Sequence, residues 1–321
     1  MIKKIALLTA LIMLIFSMQI NVIAQEKKGS GFRVSPVREE LVVEKGKGSQ
    51  IKIYVENLSN SKTTAQVLIN DFDPAEDESG QPAVKFNNRS TAYGNSFRSI
   101  ASTVEKITLE ARQKTDITVK ISVPKSASAG GYYGVVRFAD ASDPQKSNVA
   151  LAASVGTLFL VTVPGNLKEN MYLVELSAAK DGSTGRFFIN SGQMSVVARL
   201  KNTGNIHVKP FGRVEIKKGN TVVEAYDLNN TQPRSNVLPN SIRKFEDKLK
   251  NQKWLGKYTI SANLGYGTSG NLITGKTTFW VIPSWVIIVS LLALALILIV
   301  AFLIYRKFAS NRVKHKVRVR R

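Results

Sequence analysis

Few side chains in this sequence are of a type and spacing that could do chemistry. His207 is the only histidine ahead of the long apolar run near the C-terminus. It follows a turn, with no Cys, His or carboxylate clustered around it in sequence, and such a lone imidazole makes a poor metal site. Asp71, Asp73, Glu76, Asp77 and Glu78 form a dense acidic loop that ends at Gly80. Alternating oxygen ligands before a Gly turn suit a hard cation, which makes Asp71, Asp73 and Asp77 calcium candidates. Their spacing is not that of an EF-hand, however, and a solvated acidic loop needs no ion. The third group is aromatic: Phe86, Tyr93, Phe97, Tyr132 and Tyr133, with Asn87, Asn88 and Arg89 close by. Flat apolar faces flanked by hydrogen-bonding groups can hold sugar rings, and the same rings equally fill a core. Tyr132 and Tyr133, adjacent in one strand, would point to opposite faces, leaving one of them for solvent.

Enzyme readings fail on inventory. There is no Gly-x-Ser-x-Gly, no zinc motif and no Gly-rich phosphate loop. The absence of Cys removes thiol nucleophiles, Cys-ligated zinc and iron–sulfur chemistry. A glycosidase-type carboxylate pair is defined by distance in space, which spacing in sequence does not reveal. The expectation is a protein without catalysis and without a cofactor.

The elements that must carry these residues are strands. Ile51, Ile53 and Val55 alternate with Lys52, Tyr54 and Glu56, and Ile117, Val119, Ile121 and Val123 alternate with Thr118, Lys120 and Ser122. Ala65, Val67 and Ile69 form a third inward set and Val135 to Phe138 a fourth, as in half-buried antiparallel strands. Gly-, Asn-, Ser- and Pro-rich turns separate them. The apolar run from Ala150 to Val163, interrupted by Gly156, reads as a buried strand. After Gly165 to Asn170, a polar hinge, a second set begins. Met194, Val196, Ala198 and Leu200 alternate, and Val214-Glu215-Ile216 leads through the Gly219-Asn220 turn to Thr221-Val222-Val223, a hairpin. Gly256 to Ile260 and Thr277 to Trp280 close the set. The predicted fold class is all-β: two tandem immunoglobulin-like β-sandwiches, 31–164 and 166–282, plus one C-terminal transmembrane α-helix.

The two ends define a topology. Lys3 and Lys4 precede an apolar stretch from Ile5 to Phe16, and Val22-Ile23-Ala24 supplies small residues for cleavage before Gln25, so 1–24 reads as a signal peptide. An uncleaved N-terminal anchor is the alternative, and the shortness of the apolar run weighs against it. The segment 285–305, from Trp285 to Tyr305, is 21 residues without a charge. At about 1.5 Å per residue it is about 31 Å long, matching a hydrocarbon core of about 30 Å. Trp285 and Tyr305 stand where aromatic belts lie. Arg306 and Lys307 open a tail, 306–321, with eight basic residues and no acid, which the positive-inside rule places in the cytoplasm. The formal charge of +22 divides accordingly. With two basic residues in the signal and eight in the tail, 35 of the 45 remain against 23 acidic ones, a net +12 for the part outside. No nucleic-acid module accompanies that excess, so nucleic acid is not an expected partner. Anionic wall polymers and lipid headgroups are. A Cys-free exported chain fits a bacterial surface better than an animal extracellular space.

A family resemblance rests on ordered motifs: Phe32-Arg33-Val34-Ser35-Pro36, the Asn57 turn, Asp71-Phe72-Asp73 with Gly80 and Pro82, Val123-Pro124, Ala129-Gly130-Gly131-Tyr132-Tyr133-Gly134, Val155-Gly156-Thr157 and Val163-Pro164-Gly165. In this order and spacing the first domain resembles the peptidoglycan-binding domain of the bacterial WxL-interacting surface proteins. Asn202-Thr203-Gly204-Asn205-Ile206-His207, Lys209-Pro210-Phe211-Gly212 and Gly256-Lys257-Tyr258 resemble that family's second half. The resemblance implies peptidoglycan as partner of the first sandwich and a surface or host protein as partner of the second. Where the family often carries Ser followed by Trp, this chain has Tyr93, Ser96 and Phe97. That departure weakens the carry-over of glycan binding; by residue type, Tyr93, Phe97, Tyr132, Tyr133 and Arg89 are the glycan candidates. The alternative is an adhesin or a pilus-chaperone-like strand-pairing module without specific glycan binding, because sandwich edges accept an added strand.

Overall fold

Alternation at a period of two builds nineteen strands in a computed structural model, which describes residues 31–86, 91, 94–141, 154–190, 192–251 and 253–318. The first ten are β1 (Phe32–Ser35), β2 (Arg38–Val42), β3 (Gly48–Asn57), β4 (Thr63–Pro74), β5 (Pro82–Val84), β6 (Ala101–Ser102), β7 (Lys106–Leu109), β8 (Lys114–Ser122), β9 (Gly130–Asp140) and β10 (Ser154–Val163). One sheet has the order β1-β3-β8-β6; the facing sheet runs β2-β10-β9-β4-β5, with β7 also on β4. Ile53, Val55, Val119 and Ile121 point inward, meeting Phe97, Phe138, Phe159 and Val161 from the other side. At Pro36 the chain changes sheets: β1 pairs antiparallel with β3, and β2 then runs parallel to β10.

The second sandwich repeats this plan with β11 (Met171–Lys180), β12 (Ser183–Gly185), β13 (Phe187–Ile189), β14 (Met194–Asn202), β15 (Phe211–Lys218), β16 (Thr221–Leu228), β17 (Ser241–Lys248), β18 (Gly256–Tyr266) and β19 (Asn271–Ile282). Its sheets are β12-β11-β14-β17 and β13-β19-β18-β15-β16. Here the opening strand β11 stays in one sheet, antiparallel to β14, and after its hairpin with β12 the chain crosses to β13, which runs parallel to β19. An aromatic stack fills the end near the last strand: Trp254 meets Tyr258 edge-on at 4.9 Å, and Tyr258 stacks on Phe279 at 5.4 Å. No sheet is shared between the sandwiches.

Three buried asparagines hold the turns. The Asn57 amide donates to the carbonyls of Ser61 and Glu110 while its Oδ1 accepts from the Ser59 N–H. Asn202 does the same with Ile206, Val237 and Gly204, and Asn229 with Pro210 and Ser235. Each amide is satisfied inside the protein, which is why it is tolerated there. Asn57 and Asn229 also head Asn-x-Ser/Thr sequences, and their burial closes both to glycosylation.

One expectation needs correction. The segment 165–170 is not a free hinge: the turn Thr203–Asn205 straps it down. Thr203 N–H donates to the Asn170 carbonyl, Asn205 N–H to Lys168, Lys168 N–H to the Asn205 side chain, and the Asn205 amide to the Asn166 carbonyl. A Cβ on Gly204 would overlap the Lys168 carbonyl oxygen, so only glycine lets the strap lie this close. The C-terminal helix runs on into the basic tail: α1 spans Ser284 to Arg318, 35 residues. Its apolar part, Ser284–Arg306, has no buried residue and is of span length, compatible with a single-pass anchor. The signal segment 1–24 lies outside the described residues.

Candidate functional site

The sequence-selected residues scatter, and most turn inward. Tyr132 and Tyr133 do point to opposite faces of β9, yet neither reaches solvent, because both faces of β9 are covered. Tyr132 faces the first core, its hydroxyl donating to the Ser128 carbonyl at 3.1 Å. Tyr133 faces the second sandwich, fully buried. Phe97 is also fully buried, stacked on Phe159 at 5.2 Å beneath Gly134, where a Cβ would collide with its ring. These three cannot offer a face to a sugar. Phe86 is half exposed with the Arg137 guanidinium over its ring at 4.8 Å. Tyr93 and Arg89 lie outside the described residues.

The calcium candidates do not converge either. Asp71 is buried and accepts from Ser96 Oγ at 2.7 Å and from the Arg98 N–H at 3.0 Å, pinning the 3-10 turn Phe97–Ser99. Asp73 pairs with Lys85 at 2.7 Å. Asp77 is exposed and accepts from the Ser79 N–H. Among the described residues no three acidic or histidine side chains gather as a metal would require.

What the motif residues do build is a seam between the sandwiches. Leu238 of the second inserts among Phe72, Tyr133 and Leu160 of the first. The Tyr133 hydroxyl accepts the His207 N–H at 2.8 Å, and the imidazole stands edge-on to its ring at 5.7 Å. Glu40 accepts from Lys209 and from the Asn236 amide. Glu78 takes Arg199 in a bidentate pair at 2.5 and 2.7 Å, and its carbonyl accepts the Lys244 N–H. Beside the seam a cleft of about 630 Å³ opens between the sandwiches, lined by Glu169, His207, Lys209, Phe211, Arg234 and Thr268 among others.

Burial pulls the His207 pKa down to about 4, against the attraction of Glu40. Burial opposes the charge on Glu40, but hydrogen bonds from Lys209 and Asn236 outweigh it and hold that carboxyl below its ordinary range. Both shifts act in one direction. As pH falls below about 6.5 the unfolded chain binds a proton at His207 that the folded chain refuses until about 4, and further acid protonates Glu40 more easily unfolded than folded. The expected outcome is a loss of up to about 3 kcal/mol through His207 between pH 6.5 and 4. It is measured as a falling unfolding midpoint, and His207→Gln should flatten the curve in that window.

The feature that sequence reasoning missed is an open strand edge. Of the twelve residues of β19, only Trp280–Ile282 pair outward, with β13; Asn271–Phe279 have β18 on one side and no strand on the other among the described residues. The Trp280 N–H and the Ile282 carbonyl point at β13. By the two-residue period, the N–H and C=O groups of Thr274, Lys276 and Thr278 then point out of the same edge. The first half of β11 is open on the same side, and Leu173 and Leu176 reach from it into the space over Gly275. Other edges are guarded. In the first sandwich β1, β2, β5, β6 and β7 have five residues or fewer; β17 is charged along its length, and β15–β16 carries a bulge. Short, charged or bulged edges resist pairing, whereas β19 offers nine residues with one charge, Lys276, and no proline.

No family model matches the chain, and no curated protein matches it. Similar solved structures include the class 5 fimbriae chaperone CfaA (11% identity, 77% of this chain and 98% of that chain, TM-score 0.37). Others are the Pseudomonas aeruginosa CupB2 chaperone (11%, 76% and 98%, TM-score 0.33) and the CsuC–CsuE pre-assembly complex from Csu pili of Acinetobacter baumannii (14%, 78% and 98%, TM-score 0.32). Likeness at this level says nothing about what this chain does.

Proposed function

We propose that this chain is a non-catalytic, membrane-anchored surface protein whose second sandwich docks a protein partner by strand addition along the outer edge of β19. The observation that carries this is the nine-residue unpaired edge Asn271–Phe279, with the backbone groups of Thr274, Lys276 and Thr278 turned outward. A strand laid there gains main-chain hydrogen bonds for affinity, and Leu272, Tyr172 and Val174, exposed on the same side, give side-chain selectivity. The helix α1 supplies the anchor, with the sandwiches outside and the basic end inside. The likeness to the WxL-interacting surface proteins favours the same assignment, since it implies a protein partner for the second half. Contact with peptidoglycan takes second place: three of its five candidate residues are interior, and the net positive charge alone would hold anionic wall polymers.

The test is site-specific photo-crosslinking of the full chain in its native membrane. A crosslinker at Lys276 should capture one defined protein; one at Arg213, on β15 and flanked by strands on both sides, should not. Equal capture at both positions, or wall fragments alone at Lys276, would overturn the reading.

A further inference from the structure

The end of the second sandwich from which the chain enters α1 has a surface unlike the rest of the molecule. The register places it: Phe187 pairs with Trp280 and Ile189 with Ile282, the Ser284 N–H donates to the Asn190 side chain at 2.7 Å, and only Pro283 separates β19 from the helix. Phe188 points into the core, whereas Phe187 and Ile189 are 72% and 60% exposed, on an edge strand of three residues that has no need of apolar side chains outside. Trp280 and Trp285 stand beside them in sequence register, and Leu255 is exposed on the neighbouring loop.

Charge collects at the same end. Gly256 pairs with Val281, Lys218 with Thr221, and the Leu249 N–H donates to the Met194 carbonyl, so the turns after β15 and β17 and the start of β18 all lie here. Together with the connections from β11 to β13 they present Arg186, Lys218, Lys250, Lys253 and Lys257, all exposed, against Asp181 and Glu224. The Glu224 carboxylate is already taken by the backbone N–H groups of Lys250 and Asn251. Lys257 sits 5.8 Å over the Trp280 ring. Apolar tips ringed by long basic side chains match a lipid interface, where ammonium groups reach phosphates while stems and rings sink below them.

Depth agrees. Ile282 and its partner Ile189 are two residues ahead of Ser284, about 7 Å at a strand rise of about 3.3 Å per residue. A bilayer of about 40–45 Å with a core of about 30 Å leaves roughly 5–7 Å of headgroup layer on each side. If α1 starts at the edge of the core, Ile189 stands at the outer edge of the headgroup layer, and Trp280 and Phe187, about 13 Å from Ser284 along the strand, reach it through their side chains.

We propose that this end of the second sandwich is a lipid-docking face, seated on anionic phospholipid headgroups of the leaflet that α1 enters. It rests on the reading of α1 as a span. The seat sets how the open edge of β19 stands relative to the membrane.

The test uses full-length protein in vesicles with and without phosphatidylglycerol, with lipids brominated near the headgroup as quenchers. Each signal is normalised to bromine-free vesicles. In W285F the surface tryptophan is Trp280, while Trp254 stays buried as a constant. Quenching of Trp280 is expected when anionic lipid is present, and its loss in W285F carrying K218E, K253E and K257E, an exposed triple change checked by an unaltered melting curve. In W280F the reporter is Trp285, in the first turn of α1. Quenched Trp285 with unquenched Trp280 would overturn the docking face and leave the span intact. Unquenched Trp285 would remove the span, and the docking face with it. Trp280 quenching indifferent to lipid charge and to the charge reversal would overturn the anionic seat.

Discussion

Tyr133→Ala is expected to destabilise the protein by about 3–5 kcal/mol and to split one cooperative unfolding transition into two. The ring is fully buried between the sandwiches, among Phe72, Leu160 and Leu238, so its removal leaves a cavity at an apolar contact that straddles them. It also strands the backbone N–H of His207, which has the Tyr133 hydroxyl as its acceptor. Tyr133→Phe isolates that second loss: the ring stays, the acceptor goes, and about 1–3 kcal/mol is the expected cost. Scanning calorimetry of the soluble part reads both variants, with Tyr172→Ala on the exposed face of β11 as a near-neutral control. A sugar-binding role predicts the reverse, lost glycan affinity at unchanged stability. A Tyr133→Ala variant that melts like the parent would return the residue to the surface and undo the seam.

The fold class was legible because the clearest strands obey the simplest rule. Ile51-Ile53-Val55 and Ile117-Val119-Ile121 alternate without interruption, and the Gly219-Asn220 turn marked its hairpin, closed in the structure by Lys218 facing Thr221. Strands that escaped notice break that rule for physical reasons. β11 changes phase at a bulge between Leu173 and Glu175, which scrambles its alternation. β17 is an edge strand with five charged residues among eight, most of them facing solvent or the seam while Asp247 turns inward against Tyr226, so its hydrophobic signal is weak. The sequence pattern shows β19 only from Thr277. Gly275 masked its earlier half, and the reason for that glycine is tertiary, since Leu173 and Leu176 from β11 occupy the space a side chain would need.

The site was less legible than the fold. Opposite faces for Tyr132 and Tyr133 followed from strand geometry, but exposure of one of them assumed that β9 has a wet side. The second sandwich covers it, and nothing local in the sequence says so. The Gly130-Gly131-Tyr132-Tyr133-Gly134 motif is therefore architectural: Gly131 makes room for the Tyr133 ring and Gly134 for Phe97. An open edge is still harder to foresee, because it is defined by the strand that is not there. The available hint was compositional, a run from Asn271 to Thr278 rich in β-branched residues with a single charge.

Two neighbouring prolines should separate fold from function at that edge. Pro removes a backbone N–H, so its effect depends on where the N–H points. At Lys276 it points out of the sheet, away from β18. Lys276→Pro should therefore leave the melting temperature nearly unchanged, as edge-strand prolines do, and should abolish strand addition by removing a donor and placing a ring in the path of the incoming chain. At Thr277 the N–H points at Ile260 on β18, its ladder partner. Thr277→Pro should cost about 3 kcal/mol or more and weaken partner capture only through loss of the folded sandwich. Melting curves beside crosslinking yields, read from a crosslinker at Thr274 on the same edge, decide the matter. Lost capture at full stability for Lys276→Pro can arise only if the partner pairs with that edge, while undiminished capture would mean that the partner sits elsewhere. Because the two positions are adjacent, with side chains on opposite faces, a change of local charge or bulk does not reproduce the contrast; the direction of one N–H does.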